Sequence, residues 1–180
     1  NVARAEQLLR EAGYKGEPIT ILHATDHQYI NPANLVMIQQ LRKSSLLKLD
    51  VQPMDWGSVV ARRAKKELPA QGGWNIFITG TTVVTSSSPV THTSIGMGCD
   101  KAWFGWPCDA RFEELRKEWA FAPDVATRKR VAVELSKRAY EQVPYISFAQ
   151  WRTPVAYRSD RLSGVQTMPS VPPMWNIEKK

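Results

Sequence analysis

Apolar residues recur along this chain with two periods, and the period changes at residues that punctuate structure. Ala5, Leu8, Leu9 and Ala12 lie at helical spacing and stop at Gly13, which suits the left-handed turn that ends a helix. After a turn at 14–18, Ile19-Thr20-Ile21-Leu22-His23-Ala24 is β-branched and partly alternating, which predicts a strand. Asn31-Pro32 predicts a second helix, with Asn as its cap, Pro at its first position and Leu35, Ile38 and Leu41 as its buried stripe. Residues 48–54 predict a second strand, with Leu49 and Val51 on one face. Asp55 then caps a third helix carrying Trp56, Val59, Val60 and Arg63, and residues 74–79 predict a third strand that ends at Gly80. Helices alternating with strands argue for helices packed on a sheet through right-handed crossovers.

From Thr81 to about Pro107 the period is lost. Connections of that length are functional or disordered far more often than ordinary ones. Trp103, Phe104, Trp106 and Phe112 argue against disorder. Asp109 predicts the cap of a helix with Phe112, Leu115 and Trp119 inward. Asp124 predicts the cap of a longer helix with Val131, Leu135 and Ala139 at helical spacing, stopped by Pro144. Residues 145–149 read as a strand, and Pro154, Pro169, Pro172 and Pro173 predict an extended tail. No internal repeat or low-complexity tract interrupts this order.

Composition changes the picture little. With 180 residues the chain is one domain, or one lobe of a larger protein. Its 43% hydrophobic and 23% charged residues set it apart from disordered tails. No apolar run approaches the roughly 20 residues of a helical membrane span. Asn1 to Glu6 already reads as helix rather than as a signal peptide, which favours an internal piece of a longer precursor.

The net charge of +7 invites a nucleic-acid or acidic partner, yet only Arg62-Arg63-Ala64-Lys65-Lys66 and Arg128-Lys129-Arg130 are dense. Both fall on predicted helices and read as solvated outer faces, without any nucleic-acid signature. A basic interaction module using Arg62 to Lys66 on an acidic partner is the alternative reading.

Candidate chemistry is sparse. His23 and His27 flank Asp26, but they sit on a strand running into a loop and lack a third ligand, so no metal or cofactor is expected. Ser86-Ser87-Ser88 with nearby His92 has neither an elbow motif nor a flanking base, and Glu113-Glu114 reads as charge complementing a helix dipole. No catalytic residue is expected. Cys99 and Cys108 match no zinc spacing; they are either two separate thiols or, in an oxidising compartment, a disulfide that closes a loop for about 2.5–3 kcal/mol.

The segment Ala3-Arg4-Ala5-Glu6-Gln7-Leu8-Leu9-Arg10-Glu11-Ala12-Gly13-Tyr14 resembles one shared by the family 5 extracellular solute-binding proteins, the peptide-, oligopeptide- and nickel-binding class that serves ABC importers. Leu49 to Trp56, Trp74-Asn75-Ile76-Phe77 leading to Gly80, Asp124 to Arg128, Val143-Pro144-Tyr145-Ile146, Arg158 to Val165 and Met174-Trp175-Asn176 follow in that family's order. The resemblance covers essentially the whole chain.

It implies an α/β fold: a periplasmic-binding-protein type II-like lobe, the C-terminal domain of the dipeptide-binding class, with a mixed sheet flanked by helices. Residues 1–180 would form that single lobe, and 150–180 an extended tail packing back toward the other. The implied function is capture of a peptide-like or other small solute for a membrane permease, by an exported, periplasmic or extracellular monomer. The implied ligand contacts are Gly80, Thr81, Thr82, Val83, Trp103, Phe104, Gly105 and Trp106. Cys99 and Cys108 lie where some relatives carry a short-loop disulfide. Peptide-binding members place an aspartate a few residues past the glycine, whereas this chain has Val83-Val84-Thr85 there and no acid before Asp100. That departure argues against a free-amine ligand, because a buried ammonium without a counter-charge is costly.

Overall fold

The computed structural model describes residues 1–168 and 173–180, arranged as two compact units, Asn1–Gly80 and Thr81–Lys180. The first holds helix α1 (Val2–Glu11), strand β1 (Pro18–Ala24), α2 (Ile30–Leu41), β2 (Lys48–Met54), α3 (Trp56–Arg62) and β3 (Ile76–Phe77). Its three strands are parallel in the order β2-β1-β3, with Ile21 opposite both Val51 and Ile76.

β1 occupies the centre, so residues 20–24 are all buried, as expected of a parallel strand covered on both faces. Full burial of Ile21 and Leu22 stabilises the unit by about 1.5–3 kcal/mol per side chain. Leu22, Ala24, Ile30 and Val59 form the core, flanked by Met54, Trp56, Trp74, Phe77 and Ile78. Glu6 ties α1 to the turn before β2, accepting from the Ser44 hydroxyl at 2.9 Å and the Ser45 amide at 3.0 Å.

Three details correct the sequence reading of this unit. The helix expected to open at Asn31 starts at Ile30, and Asn31 lies one position inside it. Its amide side chain serves His23 and the Thr25 carbonyl instead of capping, while the imidazole Nδ1 of His27 accepts from the Tyr29 and Ile30 amides. The buried stripe runs through Ile30, Asn34 and Ile38, and Leu35 is half exposed. The third strand shortens to two residues because Asn75 stands in for the ladder: its amide donates to the Thr20 carbonyl and its side-chain oxygen accepts from the Thr20 amide.

The basic run is also not simply a solvated face. Arg62 donates to the Gly72 and Gly73 carbonyls, each at 3.0 Å, and to Gln52 Oε1. Arg63 lies 5.7 Å from the Trp56 ring centroid and 6.0 Å from that of Phe77. Guanidinium groups are drawn to carbonyl pairs and ring faces, and here those partners sit against the helix.

The second unit contains α4 (Val83–Ser86), α5 (Ala110–Ala120), α6 (Val125–Gln142), and an antiparallel ribbon of β4 (Leu162–Ser163) and β5 (Glu178–Lys179). Asp109 and Asp124 cap α5 and α6 as expected, accepting from the Phe112 amide at 2.8 Å and the Thr127 amide at 2.7 Å. Met97, Phe112, Leu115, Val131 and Leu135 form its core.

The strand expected at 145–149 is absent; these residues carry no regular structure and are exposed. A strand needs a ladder partner, and among the described residues β4 of this unit is paired with β5 alone. Of the prolines behind the extended-tail reading, Pro169 and Pro172 lie outside the described residues; 150–157 is irregular and exposed.

Candidate functional site

In the first unit the chain leaves β1 for β2 on one side, and the connection that leaves β2 crosses β1 to enter β3 on the other. In open α/β sheets ligands bind in crevices outside the carboxyl ends of the strands. Here the loop after β1, Thr25-Asp26-His27, sits there, and Gly80 lies three residues past β3.

The loop after β1 is held from several directions. The Thr25 amide and hydroxyl both donate to the Met54 carbonyl, and its own carbonyl accepts from Asn31. One carboxylate oxygen of Asp26 accepts from the Trp56 amide at 2.7 Å. The His27 ring packs edge-on against Trp56 with centroids 5.2 Å apart. Because its Nδ1 accepts two amides, its Nε2 carries the proton and is a hydrogen-bond donor. Sequence reasoning weighed His27 only as a metal ligand and missed this loop. The strand order that exposes it depends on which side of β1 the third strand pairs, which periodicity does not reveal.

The implied contact residues fall into two local structures. Thr82 caps α4, its hydroxyl accepting from the Thr85 amide at 3.3 Å, and Val83 begins that helix with its side chain exposed. Trp103, Phe104, Gly105 and Trp106 form one aromatic turn. The Trp106 amide donates to the Trp103 carbonyl at 2.9 Å, and Gly105 and Trp106 adopt positive φ of 101° and 47°. Ring centroids are 5.1 Å apart for Trp103–Phe104 and 6.5 Å for Phe104–Trp106. Gly80 closes the first unit and Thr81 opens the second.

The aperiodic stretch is bolted to α5 through Arg116 and Glu113, and the sequence reading had assigned Glu113, with Glu114, to the helix dipole. Glu113 binds Arg116 with both oxygens at 2.8 Å and accepts from the Met97 amide at 2.7 Å. Arg116 in turn donates to the carbonyls of Pro89 and Val90. His92, within that arc, meets the Tyr145 hydroxyl at 3.2 Å. Burial, and then the Arg116 charge, hold its pKa below the usual histidine value. The Ser86 and Ser87 hydroxyls donate to backbone carbonyls and that of Ser88 accepts from the Val90 amide, an arrangement of turn-stabilising bonds rather than a charge relay. Cys99 and Cys108 are joined as a disulfide. Among the described residues no three His, Cys, Asp or Glu side chains group as a metal site.

Over 176 residues, 98% of its length, the chain is 38% identical to a probable peptide ABC transporter periplasmic-binding protein of Sinorhizobium fredii. Over nearly all of its length the chain is thus similar to one part of a periplasmic-binding protein. It spans about a third of that relative, 33% of its length. No family profile matches it. Solved structures share the fold of this chain. The AgaA protein of A. tumefaciens R10, solved in complex with agropinic acid, aligns over 80% of this chain and 29% of its own, with a TM-score of 0.64 and 20% identity. The CtaP substrate-binding protein of Listeria monocytogenes aligns over 79% and 28%, with a TM-score of 0.62 and 15% identity. At these identities the likeness speaks for the fold.

Proposed function

We propose that the 180 residues are the C-terminal lobe of the solute-binding component of an ABC importer, which delivers a small, peptide-like solute to a membrane permease. The whole-chain identity to a periplasmic-binding protein three times as long carries this reading. The proposed contacts are Gly80, Thr81, Thr82 and Val83 and the aromatic turn Trp103 to Trp106; within the first unit, the loop Thr25-Asp26-His27 at the carboxyl end of β1 is a further candidate. Their chemistry is that of a binding surface: ring faces, hydroxyls, one imidazole N–H and one carboxylate. A peptide-like solute supplies carbonyl or carboxylate acceptors for His27. The protein that contains this lobe acts as an exported monomer, and the described part of the tail, 150–168 and 173–180, packs back toward the rest of that protein.

The basic-module alternative loses support from the structure, because Arg62 is spent on carbonyls and Arg63 on aromatic rings. Native mass spectrometry of the full-length protein, purified from its own cells, tests the leading reading. A retained small-molecule mass that is lost in Trp106→Ala or His27→Ala is the expected result. Micromolar or tighter capture of that same solute by the 180-residue chain alone overturns the one-lobe reading.

A further inference from the structure

The loop 99–108 is fixed at its base by bonds that do not involve sulfur. Met97 is buried in the core, its amide held by Glu113. Its carbonyl accepts from the amide of Asp109, a buried side chain that caps α5 and is paired with Arg138. Above this base the chain carries an isolated antiparallel bridge, Gly98 to Cys108, with the Cys99 amide donating to the Pro107 carbonyl at 3.0 Å. Then comes the disulfide, with both cysteines exposed, and beyond it the aromatic turn. Cys99 and Trp106 have φ of 56° and 47°. Left-handed backbone at residues other than glycine persists only where the surroundings hold it. For Cys99 the holding bond is covalent.

We propose that Cys99–Cys108 is a redox-sensitive clasp that sets the geometry of the Trp103–Trp106 turn and leaves the helical core beneath it unaffected. A dithiol reductant would open it by exchange. One thiolate attacks a cystine sulfur, forming a mixed disulfide and releasing the other cysteine as a thiolate that takes up a proton. The second thiol of the reductant then displaces the remaining cysteine. Two electrons and two protons pass to the protein, and the reductant leaves as a disulfide. Opened, Cys99 relaxes toward ordinary φ and the turn loses its fixed presentation. The meaning of this clasp for solute capture rests on the proposed function.

Hydrogen exchange on the 180-residue chain tests it without any ligand, so its failure leaves the binding reading standing and the reverse also holds. With a dithiol such as dithiothreitol present, exchange at Lys101, Ala102 and Trp106 should rise at least tenfold. Exchange at Leu115, Val131 and Leu135 should stay within twofold. The double variant C99S/C108S should show the fast pattern with or without reductant. Unchanged exchange at 101–106 in the reduced protein overturns the proposal, because the clasp would then be a passive staple. Loss of protection at Leu115, Val131 and Leu135 overturns it equally, because the bond would then hold the unit rather than the turn. A response of C99S/C108S to reductant does the same.

Discussion

Arg138 on α6 reaches across to Asp109, the cap of α5, with its Nε 3.0 Å from Oδ2 while Oδ1 accepts the Phe112 amide. Asp109 therefore starts one helix and binds the next through its carboxylate and, through its backbone amide on the Met97 carbonyl, anchors the base of the disulfide loop. Asp109→Ala removes both side-chain roles and should lower the thermal midpoint by several degrees, whereas Asp109→Asn keeps a competent cap and should cost less. Equal losses in differential scanning calorimetry would show that the cap contributes nothing separable from the ion pair.

Acid should weaken the fold through its caps. Asp109 is held below the usual aspartate value first by Arg138 and then by the Phe112 amide, Asp55 by Ser58, and Asp124 by Thr127. A carboxyl whose folded pKa is depressed adds stability above its unfolded value, near 4, and that stability is lost as pH falls through the folded value. Denaturant midpoints should therefore change little from neutral pH down to about 5 and fall below about 4. The triple variant D55N/D109N/D124N should show a shallower fall, and an unchanged slope would remove the caps as its cause.

Gly73 permits a close approach that no side chain allows: a Cβ there would lie 1.8 Å from the Glu67 carbonyl oxygen. Arg62 binds the same segment through the Gly72 and Gly73 carbonyls. Gly73→Ala should destabilise the first unit by more than about 1 kcal/mol, in the range of overpacking, and Arg62→Ala by about 1.5–3 kcal/mol from lost charged hydrogen bonds. Chemical denaturation followed by Trp74 fluorescence measures both.

Phe112 is fully buried at the centre of the second unit. Phe112→Ala should cost about 3–5 kcal/mol, the usual range for a buried aromatic ring. Loss of α5 and α6 protection in hydrogen exchange, with β1 amides little changed, would show that the two units unfold separately; simultaneous loss in both would show a single cooperative transition.

His92 should titrate below the ordinary histidine range, because burial and the Arg116 charge oppose its protonated form. Two-dimensional NMR of the imidazole reads this directly. Arg116→Gln should raise the midpoint, and no upward movement would exclude the Arg116 charge as a cause.

Local chemistry was legible where a residue acts on its own neighbours. Asp55, Asp109 and Asp124 cap the helices that they precede, because the acceptor and the orphan amides lie three residues apart in the chain. Strand β2 spans Lys48–Met54, the range that its sequence predicts. Asn31 looked like such a cap and was not, since its side chain is claimed by His23, eight residues away on another element. Residues 145–149 had the composition of a strand without a partner to pair with, and composition cannot supply one.

The amino-acid order by itself settled the three aspartate caps, the stop at Gly13, the helix–strand alternation and the family resemblance, since each is carried by residues near one another in the chain. Tertiary structure alone decided three further things: that β3 pairs on the far side of β1, that Arg62 and Arg63 turn inward, and that Asp26 and His27 share the carboxyl end of the sheet. Those outcomes depend on which distant groups meet once apolar surface is buried, and a periodic pattern records that a face is buried without recording against what.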